Sequence, residues 1–174
     1  MNLPNKLTLL RMVMVPFYVA LLLIDFPYHT LIALGVFILA SLTDLLDGHI
    51  ARSRNLITDF GKFMDPLADK ILVLSAMICF CELGIMPAWA VIVVIFREFA
   101  VSGMRLVAGE GGRVIAAGWS GKVKTAATMV CLCIMHLPIP ALAGGVCVGI
   151  IVATTLYSGV EYFVKNRDVF KGSM

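Results

Sequence analysis

The stretch Thr43–Lys70, TDLLDGHIARSRNLITDFGKFMDPLADK, places five aspartates in a chain that is otherwise strongly apolar. Four of them form two regularly spaced pairs. On a helix, Asp44, Asp47, Gly48, Ala51 and Arg52 fall on one face, and Gly61, Asp65 and Asp69 line up four residues apart on another. Asp59 lies outside this pattern and is expected to cap the second of these helices. Pro66 is compatible with the early part of such a helix or with a modest kink. The connector between the two segments is short, which makes them antiparallel neighbours whose acidic stripes converge.

Four carboxylates held together repel one another unless a cation offsets them. Hard oxygen donors on a rigid scaffold suit Mg²⁺ or Mn²⁺, which bind through a few carboxylates, waters and substrate phosphates. Such a set can hold two ions about 3.5–4 Å apart, an arrangement suited to displacement at phosphorus. Gly48 and Gly61, lacking side chains, let a bulky ligand or the facing helix approach the backbone. Arg52, two turns from Asp44, is placed to grip a phosphate or nucleotide group.

The elements that must carry these residues follow from composition. The 174 residues are 60% hydrophobic and 14% charged, against about a quarter charged in soluble domains. The fold class expected is all-α, a polytopic membrane protein with one domain over residues 1–174. Six apolar segments can be drawn, at 7–24, 29–52, 59–82, 88–108, 118–137 and 141–164, separated by Pro- and Gly-marked breaks. No small-residue cleavage site follows the first apolar run, so an uncleaved first span is expected. The five cysteines lie in apolar runs without the spacing of a zinc site and read as small hydrophobic fillers.

Lysine and arginine cluster on cytoplasmic segments of membrane proteins. With six spans both termini share one side, and 13 of the 14 Lys and Arg residues fall at or near it, Arg97 alone lying within a span. The termini and the aspartate segment are therefore expected to face the cytoplasm. The charge-free runs Met12–Ile24, Ile71–Cys81 and Leu83–Phe96 all lie toward the opposite face. The bundle should be dry in its outer half and polar in its inner half, with a cytoplasm-facing cavity.

The residues DLLDGHIARSRNLITDFGKFMDPLAD fit D-x₂-D-G-x₂-A-R-x₈-G-x₃-D-x₃-D at all eight fixed positions, and the chain thereby resembles the CDP-alcohol phosphotransferases. The resemblance implies a six-helix membrane fold, commonly homodimeric, that transfers a substituted phosphate from a CDP-linked donor to an alcohol and releases CMP. It implies that Asp44, Asp47 and Asp65 are metal ligands. Asp69 would join them and act as general base toward the acceptor hydroxyl. Gly48, Ala51, Arg52 and Gly61 correspond to the nucleotide pocket. Asn5, Thr8 and Arg11, spaced along the first helix, are placed to add polar contacts near the donor.

The segments REFAVSGMRLVA (Arg97–Ala108), GKVKT (Gly121–Thr125) and NLPNKLTLLR resemble the branch of this family that uses CDP-diacylglycerol as donor and glycerol 3-phosphate as acceptor. An anionic acceptor needs a cationic pocket, for which Arg105, Arg113, Lys122 and Lys124 are the candidates, Arg105 and Lys122 first. Arg97 and Glu98 fall midway along the fourth span, where a charge is costly unless paired. Adjacent helix residues point in different directions, so partners on other helices, substrate groups or carboxylates, are expected, with a purely structural buried pair as the alternative. His29, His49 and His136 are expected to have no catalytic part. Nucleic acid is not an expected partner. Rival readings are cardiolipin-, phosphatidylserine- or inositol-phosphate-type transferases of the same family, a membrane prenyltransferase, and a divalent-cation transporter. The last leaves Gly48, Ala51, Arg52 and Gly61 without a purpose.

Overall fold

The computed structural model describes residues 3–53, 59–110, 115 and 118–170, and the side chains of these except 3–4, 44–53, 59–63, 65–66, 110 and 170. Among the described residues the chain is all-helical: α1 (Leu3–Leu23), α2 (His29–Ser53), α3 (Asp59–Glu82), α4 (Ala88–Glu110), α5 (Trp119–Met135) and α6 (Ala141–Lys165). A short 3₁₀ turn, Arg167–Phe170, follows α6 and was not expected. The six helices coincide with the six apolar segments to within a few residues. Two of them, Asn5–Leu23 and Ala141–Lys165, are long and apolar enough to cross a bilayer, and the His29–Thr43 part of α2 is a shorter apolar stretch. The other helices carry Asp, Lys or Arg in the portion nearest the expected cytoplasmic side, which lowers their hydropathy.

The chain divides into two compact units, Met1–Gly84 with His136–Pro138, and Ile85–Met135 with Ile139–Met174. In the first unit, α1 packs against both α2 and α3. Its buried stripe steps through Asn5, Thr8, Arg11, Val15, Tyr18 and Leu22, alternating three- and four-residue intervals as a helix seam must. The stripe is polar at the N-terminal end and apolar at the other. Helix α2 buries Ala33, Phe37 and Ala40, and the same stepping continues to positions 44 and 47. Helix α3 buries Leu72, Ala76, Met77 and Phe80, with half-buried Asp69 one turn before them.

At the apolar end of this unit an aromatic cluster closes the packing. Tyr18 hydrogen-bonds His136 Nε2 at 2.9 Å. The His136 ring meets Phe80 edge-on at 4.8 Å and Phe37 at 5.5 Å between centroids. A buried imidazole is tolerable in a dry region because its polar edge has this partner.

The connectors follow from local chemistry. Gly84, at φ 70°, ends α3 in the left-handed conformation glycine adopts freely. Tyr28 adopts φ 63° without that freedom, at a cost of about 1–2 kcal/mol. Its turn is held by His29, whose backbone N–H donates to Phe26 O at 3.2 Å and whose ring Nδ1 bonds Leu22 O at 3.1 Å. Pro16 lies within α1, as proline does in membrane helices when neighbours or side chains satisfy the freed carbonyl.

In the second unit, α6 packs against both α4 and α5. Helix α5 buries Lys124 and Thr128, then Cys131, Leu132 and Met135; α6 buries Cys147, Val148 and Ile151, then Thr155, Ser158, Gly159 and Tyr162. Each unit, taken by itself, is thus polar toward one end of its helices and dry toward the other. All five cysteines are free thiols, as expected. Large apolar side chains such as Phe96 and Leu142 stay outward, at 75% and 82% exposure. Water would penalise that surface and a lipid phase would not.

Candidate active site

The helical premise behind the aspartate stripes holds for the backbone. Helix α2 runs unbroken from His29 through positions 44, 47, 48, 51 and 52 to Ser53, and α3 runs from Asp59 through Pro66 and Asp69 to Glu82. Asp44 and Asp47 lie where the buried seam of α2 continues. Asp65 and Asp69 share a face with Leu72 and Ala76, three and seven residues beyond Asp69. The side chains of Asp44, Asp47, Gly48, Ala51, Arg52, Gly61 and Asp65, and all of Arg113, lie outside the described residues. Asp69 is the described member of the acidic set and is half-buried. Among the described residues no cluster of three or more His, Cys, Asp or Glu forms a metal site, as must be so when one carboxylate of the four is in view.

Helix α1 supplies further polar groups of the first unit. Thr8 and Arg11 are fully buried and Asn5 nearly so. A buried guanidinium is retained where its charge is met, since uncompensated burial of an ion costs several kcal/mol, on the order of a domain's whole stability. Arg11 therefore belongs to the architecture of this polar end more firmly than its place in the sequence implied.

The cations of the second unit separate by environment. Arg105 is exposed at the C-terminal part of α4, and its Nε donates to the Tyr162 hydroxyl of α6 at 3.0 Å. Its guanidinium carbon stands 5.4 Å from the centre of the same ring, close enough for a cation–π contribution. Tyr162 thus holds Arg105 through its Nε and its ring face. Lys122 is exposed on the first turn of α5. Lys124, two residues on, is 5% exposed, and its Nζ lies 2.6 Å from Glu98 Oε1.

Arg97 Nη1 donates to that same Glu98 oxygen at 2.9 Å. The expectation that these two neighbours do not pair is corrected here. The long arginine side chain reaches its neighbour's carboxylate, and the partner of Glu98 on another helix is a cation, Lys124, rather than a substrate group or carboxylate. Two glycines make room for this path. A Cβ on Gly159 would lie 3.2 Å from Arg97 Cγ, and one on Gly121 would lie 3.7 Å from Nη2. Tyr162 and Gly159 did not stand out in the sequence, and Gly121 did so only as the first residue of GKVKT, because an orienting tyrosine and a passage for a side chain have no spacing signature. Further along α6, Glu161 and Lys165 form an ion pair one turn apart.

Of the histidines, His136 lies in the aromatic cluster at the dry end of the first unit. His29 lies in the α1–α2 turn, 4.0 Å from Asp25. Their contacts are with aromatic rings, a backbone carbonyl and Asp25.

Comparison with known proteins gives this arrangement its context. Residues 1–157 match the CDP-alcohol phosphatidyltransferase family. A CDP-diacylglycerol–glycerol-3-phosphate 3-phosphatidyltransferase of Bacillus subtilis is 42% identical over 99% of this chain and 98% of its own length. A probable phosphatidylglycerophosphate synthase of Mycobacterium tuberculosis is 37% identical over 97% of the chain and 83% of its own. A Rickettsia bellii protein named for the same transferase activity as the first is 33% identical over 97% of both chains. Aspartate pairs at helical spacing, a polar end in each unit and likeness along nearly the whole length agree: the chain belongs to the CDP-alcohol phosphatidyltransferase family.

Proposed function

We propose that this protein transfers the phosphatidyl group of CDP-diacylglycerol to glycerol 3-phosphate, giving phosphatidylglycerophosphate and CMP in phospholipid biosynthesis. The observation that carries the reading is the signature Asp44–Asp69, set on two unbroken helices, in a chain whose relatives along nearly all its length are named for this reaction. In this reading the chain is one integral-membrane domain of six spans and forms a homodimer. Both termini and the polar ends of the helices face the cytoplasm. The donor's acyl chains stay in the bilayer while its nucleotide enters from the cytoplasmic side.

Gly48, Ala51, Arg52 and Gly61 form the nucleotide pocket, helped by the polar groups of Asn5 and Thr8. Gly48 and Gly61 give clearance and Arg52 meets phosphate charge. The donor set of Asp44, Asp47, Asp65 and Asp69, hard oxygens on two continuous helices, fits Mg²⁺ or Mn²⁺, as two ions. When bound, such ions supply neutralisation of the diphosphate charge and polarisation at phosphorus. Asp69 accepts the proton of the glycerol 3-phosphate hydroxyl as its oxygen forms a bond to the donor's phosphatidyl phosphorus. The bond from that phosphorus to the CMP oxygen breaks, and CMP leaves with the electron pair. Arg105, held by Tyr162, together with Arg113 and Lys122, attracts the acceptor phosphate. Positioning and charge stabilisation account for most of the acceleration.

The test is an acceptor panel with purified protein and CDP-diacylglycerol, read as CMP released. Strict dependence on glycerol 3-phosphate supports the reading. Turnover with serine, inositol phosphate or phosphatidylglycerol in its place moves the protein to another branch of the family. Reaction of a prenyl diphosphate, or metal flux without CMP release, removes the phosphatidyl-transfer assignment.

A further inference from the structure

Two cations share one carboxylate oxygen inside the second unit, and the assignment of Lys124 turns on it. The side chains of Arg97, Glu98 and Lys124 are 12%, 12% and 7% exposed. Glu98 Oε1 lies 2.9 Å from Arg97 Nη1 and 2.6 Å from Lys124 Nζ. Lys122 and Lys124 are two residues apart on α5, about 200° around the helix, and only Lys122 is exposed. Arg97 reaches Glu98 by passing Gly159 of α6 and Gly121 of α5. The cluster therefore joins the middle of α4, the first turns of α5 and the later turns of α6.

We propose that Glu98 is a positioning residue and Lys124 its buried counter-ion, so that the balance of charge at Glu98 keeps α5 in place and Lys124 does not touch substrate. This rests on the transfer reaction proposed above and narrows its acceptor site. Among the described residues, one carboxylate meets two cations. Without Glu98, two like charges remain side by side in a low-dielectric interior, which each avoids by moving away. The first turn of α5 moves with Lys124 and carries Lys122 out of place. Glu98 thus acts on the acceptor through α5.

The experiment is steady-state kinetics on the full chain in detergent micelles with added CDP-diacylglycerol, following CMP release while each substrate is varied. The variants are Glu98→Gln, Lys124→Met, Glu98→Gln/Lys124→Met and Lys122→Gln, with the thermal midpoint of each. Glu98→Gln is expected to raise the KM for glycerol 3-phosphate about tenfold or more, the scale of one lost charge-assisted contact, at unchanged KM for the donor. Lys122→Gln raises the acceptor KM to a similar degree without moving the thermal midpoint. Lys124→Met alters it by less than about threefold, and the double variant returns most of the Glu98→Gln loss, because removing one cation compensates for the lost anion.

If Lys124→Met raises the acceptor KM as much as Lys122→Gln and the double variant is no better, Lys124 is a phosphate ligand and the proposal is overturned. If Glu98→Gln lowers folded yield and thermal midpoint with both KM values intact, the cluster is structural only and the positioning role is overturned. Where Glu98→Gln does not fold, recovery of folding in the double variant supports the charge balance and its absence contradicts it. The thermal cycle needs no substrate. An unreactive wild-type protein would thus remove the transfer reading, while the coupling between Glu98 and Lys124 would still be measured.

Discussion

The passage of Arg97 over Gly159 gives a sharp energetic prediction when set against a second glycine on the same helix. Alanine in a helix interior is favoured over glycine by about 0.5–1 kcal/mol. At Gly149, on an exposed face of α6, a Cβ would meet nothing within 4 Å. Gly149→Ala should realise that gain nearly in full. At Gly159 the new Cβ would stand 3.2 Å from Arg97 Cγ, inside the roughly 3.5–4.0 Å of a favourable carbon–carbon contact. Arg97 cannot retreat freely, because Nη1 is tied to Glu98 and Nη2 lies over Gly121. Forced shifts of this kind cost about 1–3 kcal/mol, so Gly159→Ala should come out neutral to destabilised by about 2 kcal/mol. The two substitutions should differ by about 1–3 kcal/mol, or about 2–12 °C in thermal midpoint for a chain of this size. Thermal unfolding of both variants in one detergent, followed by circular dichroism, measures the difference. Equal stabilisation by the two alanines would show that Arg97 has room to move, and the described passage would be wrong.

Tyr18→Phe removes the hydroxyl that meets His136 and should cost about 0.6 kcal/mol, the average for hydrogen bonds between membrane helices. His136→Ala also loses the ring contacts with Phe80 and Phe37 and should cost about 2–3 kcal/mol; thermal midpoints check both, and turnover by the folded fraction should be retained. Tyr162→Phe releases Arg105 and should raise the KM for glycerol 3-phosphate about fivefold, the worth of one hydrogen bond, with the donor KM unchanged in a two-substrate assay. Asp69→Asn should abolish CMP release while binding of CDP-diacylglycerol stays measurable by equilibrium titration; near-normal turnover would remove the general base from the mechanism.

The fold was legible because bilayer physics writes itself into composition. Uninterrupted apolar runs between Pro and Gly breaks gave the helices, and the placement of charges toward one end gave the polar ends now seen on α1 and α5. The acidic stripes were legible because helical spacing is a one-dimensional signal, and the backbone is helical across both. What escaped was set by side-chain reach. Arg97 and Glu98 diverge at their Cβ atoms yet meet at their tips, because arginine spans several ångströms through flexible bonds. Lys122 and Lys124 look alike in the sequence, and only the packing of the second unit, with Glu98 of α4 meeting Lys124, makes one exposed and the other buried. The depth of Arg11 depends on α1 packing against two helices at once, which its neighbours in the sequence cannot reveal.

The most direct measurement takes purified protein with CDP-diacylglycerol and glycerol 3-phosphate, strips divalent ions with a chelator, and follows CMP during stepwise return of Mg²⁺ or Mn²⁺, for the wild type and for Asp65→Asn. The account predicts no CMP from the stripped protein, full recovery in the wild type, and no recovery in the variant at any ion concentration. Sustained CMP release in the chelator, or equal recovery by both proteins, would contradict it.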